Sequence, residues 1–229
     1  MPENISPKML IEIWSDIVCP FCYIGKRRLE NALELFSHQD RIEINWKSYQ
    51  LSPDLKTNPE QSINQFLAEH KQIPVEEAEK MNDYVTEMAS EVGLTYHFEK
   101  AVVANSFNAH RLIHLSKEIG KQHEAEELLF RSYFTDGKNI DDTQTLVQLG
   151  VELGLEAERV ISVLNGTDFA DEVRKDVYDA FQVGVKGVPF FVFDRKYGIS
   201  GAQPASLFTQ VLEKSFSEWN QNPLNQKTV

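Results

Sequence analysis

Apolar and polar positions alternate at two places in the first fifty residues. Ile11-Glu12-Ile13-Trp14-Ser15 is one; Ile42-Glu43-Ile44-Asn45-Trp46-Lys47-Ser48-Tyr49 is the other. A period of two with β-branched and aromatic residues predicts strands. Between them Ile24, Leu29, Leu33 and Phe36 recur at roughly helical spacing, which predicts a helix from Tyr23 to about Phe36. Pro20 suits its first turn, where a missing N–H costs nothing. Ser52-Pro53 and Asn58-Pro59 then break the pattern. From about 60 to 183 the pattern is helical throughout, with expected helices at 60–70, 74–91, 105–119, 122–135, 143–153, 156–164 and 168–183. Asn105 or Ser106, Asp142 and Asp168 are the expected caps, and Gly93, Gly120, Gly137, Gly154 and Gly166 fall where helices should stop. Phe190-Phe191-Val192-Phe193 is an unbroken apolar run suited to a buried strand. Tyr197 to Gly201 can pair with it through a turn over Asp194–Lys196. Pro204 to Trp219 predicts a last helix with Leu207, Val211, Leu212 and Phe216 facing inward. The tail after Asn220 is polar and expected to fray.

Charge sharpens this division. The chain of 229 residues carries a net charge of -12, but unevenly. Residues 58–183 hold 24 acids and 11 bases, whereas the flanking segments together hold 11 acids and 12 bases. The break in charge coincides with the break in pattern. An α/β domain from both chain ends, 1–57 plus 184–229, is therefore expected to carry an inserted helical domain, 58–183. The acidic balance argues against nucleic acid or an anionic membrane as the main partner. The N-terminal Met1-Pro2-Glu3-Asn4-Ile5-Ser6-Pro7-Lys8 has no apolar core of the signal-peptide kind, and no apolar run is long enough to span a bilayer. A cytoplasmic protein is the expectation.

The only two cysteines stand together in Cys19-Pro20-Phe21-Cys22, between the first strand and the first helix. A Cys-x-x-Cys pair at such a junction is the arrangement of a dithiol redox site. Orphan N–H groups and the helix dipole favour negative charge at Cys19, and the three-residue offset puts both sulfurs on one helical turn. Lys26, Arg27 and Arg28 add positive charge on later turns. Asp16 is either a proton acceptor beside the pair or, more simply, a solvated turn residue. Zinc is the structural alternative for the cysteines, and His110 and His114 would be its other ligands. The 87 residues between Cys22 and His110 exceed any compact finger.

Three blocks carry a resemblance. They are Ser15-Asp16-Ile17-Val18-Cys19-Pro20-Phe21-Cys22, Asn105-Ser106-Phe107-Asn108-Ala109-His110-Arg111-Leu112, and Gly184-Val185-Lys186-Gly187-Val188-Pro189-Phe190-Phe191. In this order, with a long helical insert, the chain from about 9 to 219 resembles the DsbA-like branch of the thioredoxin superfamily, and within it the FrnE-type subfamily. The resemblance implies an α/β thioredoxin fold with a large all-helical insertion. It implies a cis Val188–Pro189 bond facing the cysteines, with the Val188 backbone presented to an extended substrate. It makes Cys19 the exposed nucleophile and Cys22 the buried resolving thiol. Pro20 and Phe21 would touch substrate too. With no histidine between the cysteines, the pair should be a weaker oxidant than strongly oxidising DsbA proteins. Asn105 and His110, with Phe107, Arg111 and His114 on the same helix, would line the cleft opposite Cys19. The other histidines (His38, His70, His97 and His123) are expected at the surface.

The leading function is thus a disulfide oxidase, reductase or isomerase acting on protein or small-molecule disulfides through a mixed disulfide. No metal or organic cofactor is expected; glutathione is the co-substrate the resemblance allows. The alternative is a glutathione-dependent transferase or isomerase of the kappa-class or hydroxychromene-carboxylate type, which resembles this chain in plan but has serine where Cys19 stands. A non-catalytic binding module is a third reading. Dimers are common among small enzymes, so a homodimer is one expectation.

Overall fold

The computed structural model describes residues 7–225. The first six positions, read for a signal segment and included in the first domain, and the last four lie outside the described residues. Four strands form one sheet: β1 (Met9–Ser15), β2 (Ile42–Ser48), β3 (Phe190–Phe193) and β4 (Tyr197–Ser200). Their order is β2-β1-β3-β4, with β2 parallel to β1 and both other pairings antiparallel. The crossover from β1 to β2 is α1 (Pro20–Glu34), the usual way to join parallel neighbours. Seven helices separate β2 from β3: α2 (Ile63–Lys71), α3 (Val75–Ser90), α4 (Phe107–Lys117), α5 (Gln122–Phe134), α6 (Thr143–Glu152), α7 (Ala157–Asn165) and α8 (Ala170–Gln182). The chain closes with α9 (Ala205–Gln221). This is the expected α/β thioredoxin fold with a helical insertion.

Central β1 is paired on both sides and covered on both faces. Met9, Ile11 and Ile13 are fully buried with Leu29 and Ala32 of α1 and Phe208, Leu212 and Phe216 of α9. The rings of Phe191 and Phe208 meet edge-on at 4.8 Å. On the other face Trp14 packs with Ala180 and Val185, beside Val188, Phe190 and Val192. Each such side chain contributes about 1.5–3 kcal/mol of burial. Gly25 lets α1 approach this layer, because a Cβ there would come within 3.0 Å of the Pro189 ring and 3.1 Å of Phe191.

The outer edge of β2 is closed by side chains of the insert. The Gln122 amide accepts from the Trp46 N–H at 3.1 Å and donates to its carbonyl at 2.9 Å, and the Asp176 carboxylate accepts from the Ser48 N–H at 3.0 Å. Unpaired edge groups are thus satisfied without another strand.

Two local expectations change. Asp168 does not cap α8; Phe169, with φ of 63°, takes that place, and Asp168 turns out to pair with Arg159 at 2.7 Å. The tail is held as far as Asn225, whose amide donates to the Trp219 carbonyl at 2.8 Å and whose carbonyl accepts from Arg41 at 2.9 Å. Asp142 caps α6 as expected, accepting from the Thr145 N–H at 2.8 Å.

Candidate active site

Cys19 is the N-cap of α1, with Pro20 in the first turn and no acidic residue there. Its N–H donates to the Asp16 carbonyl at 2.9 Å, and its own carbonyl accepts from the Cys22 N–H at 3.0 Å. The loop and helix start are therefore one tight turn, which fixes both sulfurs relative to the backbone. The Cys19 thiol lies 3.6 Å from the Val188 carbonyl, with sulfur as donor. The next peptide bond, Val188–Pro189, is cis. The expected cis bond is found, and the residue before it, Val188, lies against Cys19.

The expected exposure of Cys19 is not. Cys19 is 4% exposed and Cys22 1%, because the Val188 loop lies against the first sulfur. Phe21 is the exposed member of the tetrapeptide, at 38%. Both thiols are free. Burial pushes the Cys22 thiol well above its ordinary pKa, and the adjacent Cys19 sulfur adds to the shift. The Asp16 N–H and the Ser15 hydroxyl, which also face Cys22, oppose it.

The positive charges of α1 are spent elsewhere. Lys26 is buried, with its ammonium bonded to Glu127 at 2.5 Å and to Glu30 at 2.6 Å. Arg27 bonds the same two carboxylates at 2.8 and 2.7 Å. The Tyr23 hydroxyl donates to Glu127 at 2.6 Å. Burial disfavours the Glu30 carboxylate, but His123, Lys26 and Arg27 outweigh it and bring its pKa down to about 2. His123 is not a plain surface residue: its ring also accepts from the Trp46 indole N–H at 3.2 Å.

The α4 residues divide in a way that helical spacing does not predict. His110 is 1% exposed and does not line a cleft. Its Nε2 lies 3.5 Å from Asp16 Oδ1, and Asp16 is itself fully buried rather than solvated. Asp16 Oδ2 accepts from the Leu51 N–H at 2.7 Å. Burial works against a charged His110 ring, but Asp16 and then Glu126 outweigh it and raise its pKa. Arg111 is also buried and donates to the carbonyls of Val163, Leu164, Gly166 and Asp168 around the end of α7. His114 meets the Ser48 hydroxyl at 3.1 Å and Asp176 at 3.1 Å. Asn105 does reach a groove, of about 840 Å³, with Phe107, Asn108, Gln50 and Arg174. Its amide holds one wall, donating to the carbonyls of Pro53 and Leu55. The cysteines are not part of that lining.

Two site residues give no sequence signal. The Tyr96 hydroxyl donates to the Pro20 carbonyl at 2.7 Å, and burial pushes its pKa well up, the Cys19 sulfur adding to this. Glu126 on α5 is 1% exposed, and burial pushes its carboxyl up to about 7, with His110 and Lys26 pulling the other way. Neither lies in a recognisable motif; only the packing of the insert on α1 brings them here.

A family model for a DSBA-like thioredoxin domain matches residues 10–213. The crystal structure of a probable DsbA oxidoreductase from Streptomyces coelicolor is 41% identical, with a TM-score of 0.86 over 92% of this chain and 91% of that one. The protein YwbO of Bacillus subtilis (strain 168) is 26% identical over 214 residues, 91% of this chain and 96% of its own length. The cytosolic disulfide reductase DsbM of Pseudomonas aeruginosa is similar in fold alone. Its structure with GSH is 17% identical, with a TM-score of 0.63 over 91% of this chain and 99% of that one.

Proposed function

The chain belongs to the DSBA-like thioredoxin domain family, and on that footing we propose that it is a thiol–disulfide oxidoreductase acting through Cys19 and Cys22. The observation that carries this reading is the position of the pair: Cys19 at the head of α1, against the Val188 carbonyl, with Cys22 beside it. Cys19 attacks a substrate disulfide and one thiol leaves. Cys22 then loses its proton and attacks Cys19 Sγ, the mixed disulfide breaks, and the second substrate thiol departs. The substrate disulfide gains two electrons and the protein pair loses them. The reverse sequence oxidises a dithiol. Before either, Cys19 gives up its hydrogen bond to Val188, whose backbone is then free to hold an extended substrate.

We propose the FrnE-type branch on the three sequence blocks, and the cytoplasm on the likeness in fold to the cytosolic DsbM. No described helix is long and apolar enough to cross a membrane. Protein disulfides and glutathione are the proposed partners. The likeness in fold to DsbM supports glutathione, while the intact cysteine pair favours dithiol chemistry over glutathione transfer.

A Cys22→Ser variant tests this directly. Incubated with oxidised glutathione, it should stall as a Cys19–glutathione mixed disulfide visible by mass spectrometry, whereas the unaltered protein should proceed to the internal disulfide. Full turnover by the variant would refute the dithiol reading.

A further inference from the structure

Cys19 is 4% exposed, so a thiolate formed there is cut off from water and depends on hydrogen-bond donors of the protein. In the dithiol its Sγ donates to the Val188 carbonyl and makes no capping bond to the helix start. Once the proton has gone the sulfur can only accept. Its N-cap position then offers it the amides of the second and third helical residues, Phe21 and Cys22. The Cys22 N–H is already engaged by the Cys19 carbonyl at 3.0 Å, which leaves Phe21 as the donor. The other end of that same peptide unit is the Pro20 carbonyl, and it accepts from the Tyr96 hydroxyl at 2.7 Å. Tyr96 comes from the segment of the insert between α3 and α4. On either side of it that segment is tied to the end of α5: the Thr135 hydroxyl donates to the Thr95 carbonyl at 2.7 Å, and the His97 N–H to the Phe134 carbonyl at 2.7 Å. The Tyr96 ring is buried, stacked on Phe134 at 4.6 Å and on Tyr23 at 6.1 Å. A fixed ring thus delivers the hydroxyl to the peptide that joins the two cysteines.

We propose that Tyr96 is a positioning residue for Cys19: by donating to the Pro20 carbonyl it fixes and polarises the Pro20–Phe21 peptide, so that the Phe21 N–H stabilises the Cys19 thiolate. Hydrogen bonds in a chain strengthen one another, and a donor on a carbonyl makes the N–H of the same amide a better donor. The helical insert thereby helps to set the reactivity of the cysteine at the head of α1. No bond is made or broken at Tyr96, which keeps its proton because burial pushes its pKa well up. The inference rests on the functional reading above, in which Cys19 attacks the substrate disulfide.

The titratable groups packed around Cys19 are Cys22 and Tyr23 of α1 and Tyr96 of the insert, with Asp16 after β1 and His110 of α4 beyond the turn. Burial raises the pKa of Cys22, Tyr23 and Tyr96, so all three stay protonated near neutral pH. The Tyr23 hydroxyl is turned to Glu127, and the Asp16 carboxylate to the Leu51 N–H and His110. Tyr96 is the one of these whose side chain bonds the backbone between the cysteines.

The test reads the ultraviolet absorbance of the thiolate against pH in a Cys22→Ser protein, so that Cys19 is the thiol observed. Adding Tyr96→Phe keeps the ring and its stacking and removes only the hydroxyl. It should lower the thiolate-to-thiol ratio at neutral pH roughly two- to fivefold. Replacing Tyr96 by a ring-fluorinated tyrosine, similar in shape but a stronger donor, should raise that ratio. Tyr133→Phe takes a hydroxyl from a buried neighbour of Phe134 in the same aromatic cluster and should leave the ratio unchanged. Should Tyr96→Phe fold poorly, the fluorinated protein decides alone. An unchanged ratio in the Tyr96 proteins, or an equal effect of Tyr133→Phe, would overturn the inference alone. Absence of a Cys19 mixed disulfide when the Cys22→Ser protein meets oxidised glutathione would overturn the functional reading and this inference with it.

Discussion

Glu126 and Glu127 are neighbours on α5, and both face charged groups that tie the thioredoxin-like layer to the insert. Glu127 meets Lys26, Arg27 and Tyr23 in a network whose bonds run from 2.5 to 2.8 Å, and its carboxyl is held below the ordinary range against the opposing effect of burial. Glu126 is buried within electrostatic reach of His110, Lys26 and Asp16, and burial raises its carboxyl to about 7. One group is charged, paired and a third exposed; the other is closed off and hardly bonded. A paired network resists a change of charge because every partner would be left unsatisfied. A loosely bonded one can take up or release a proton with little rearrangement. Adjacent positions of α5 thus hold one glutamate fixed in its charge and one whose charge burial disfavours.

The largest expected effect lies apart from both glutamates, at the thiols. Cys19→Ser should abolish turnover of disulfides outright, with no mixed disulfide detected by thiol trapping. It should leave the Glu127 network and the urea midpoint nearly unchanged. Next comes Glu127→Gln, which should lower stability by about 1–2 kcal/mol in urea unfolding, discounted for the exposure of its carboxylate. The pH profile of thiol release should stay as it is. If that profile moved, the Glu127 network would share in the thiol chemistry and its reading as a purely structural contact would fail.

The two halves also predict opposite trends of stability with pH. Glu30 has a folded pKa of about 2 against an ordinary 4.5, so its contribution is full above 4.5 and is lost as pH falls toward about 2. Glu126 has a folded pKa of about 7 against 4.5, so its ionisation is disfavoured in the fold and removes stability as pH rises from 4.5 to about 7. Unfolding of Glu126→Gln at pH 5 and pH 8 should therefore show a relative gain at the higher pH. Equal effects at both would mean that Glu126 is ionised in the fold at pH 5. Smallest of all, Asp142→Ala, at a cap far from either group, should cost about 1 kcal/mol and leave thiol chemistry unaltered.

The sequence pattern located nearly every element, because amphipathic spacing and glycine stops are local signals. The seven helices of the insert fall within a few residues of their expected spans. The cysteine pair and its meeting with Val188–Pro189 were also legible, the first from spacing and the second from resemblance. What stayed hidden depends on which element packs on which face. His110 shares a helix face with Phe107 and His114, yet the three go to a buried carboxylate, a groove and the edge of β2. Asp16 looked like a turn residue because nothing local reveals that Leu51 and α4 close over it. Glu126 and Glu127 cannot be told apart in Glu124-Ala125-Glu126-Glu127; one step of about 100° around α5 sends them to different partners.

The most direct measurement is a redox titration of the unaltered protein in defined glutathione buffers, read by thiol trapping. The account predicts a single two-electron transition of Cys19 and Cys22 between dithiol and internal disulfide, with a potential between about -270 and -120 mV. Failure to form an internal disulfide in any buffer would contradict it.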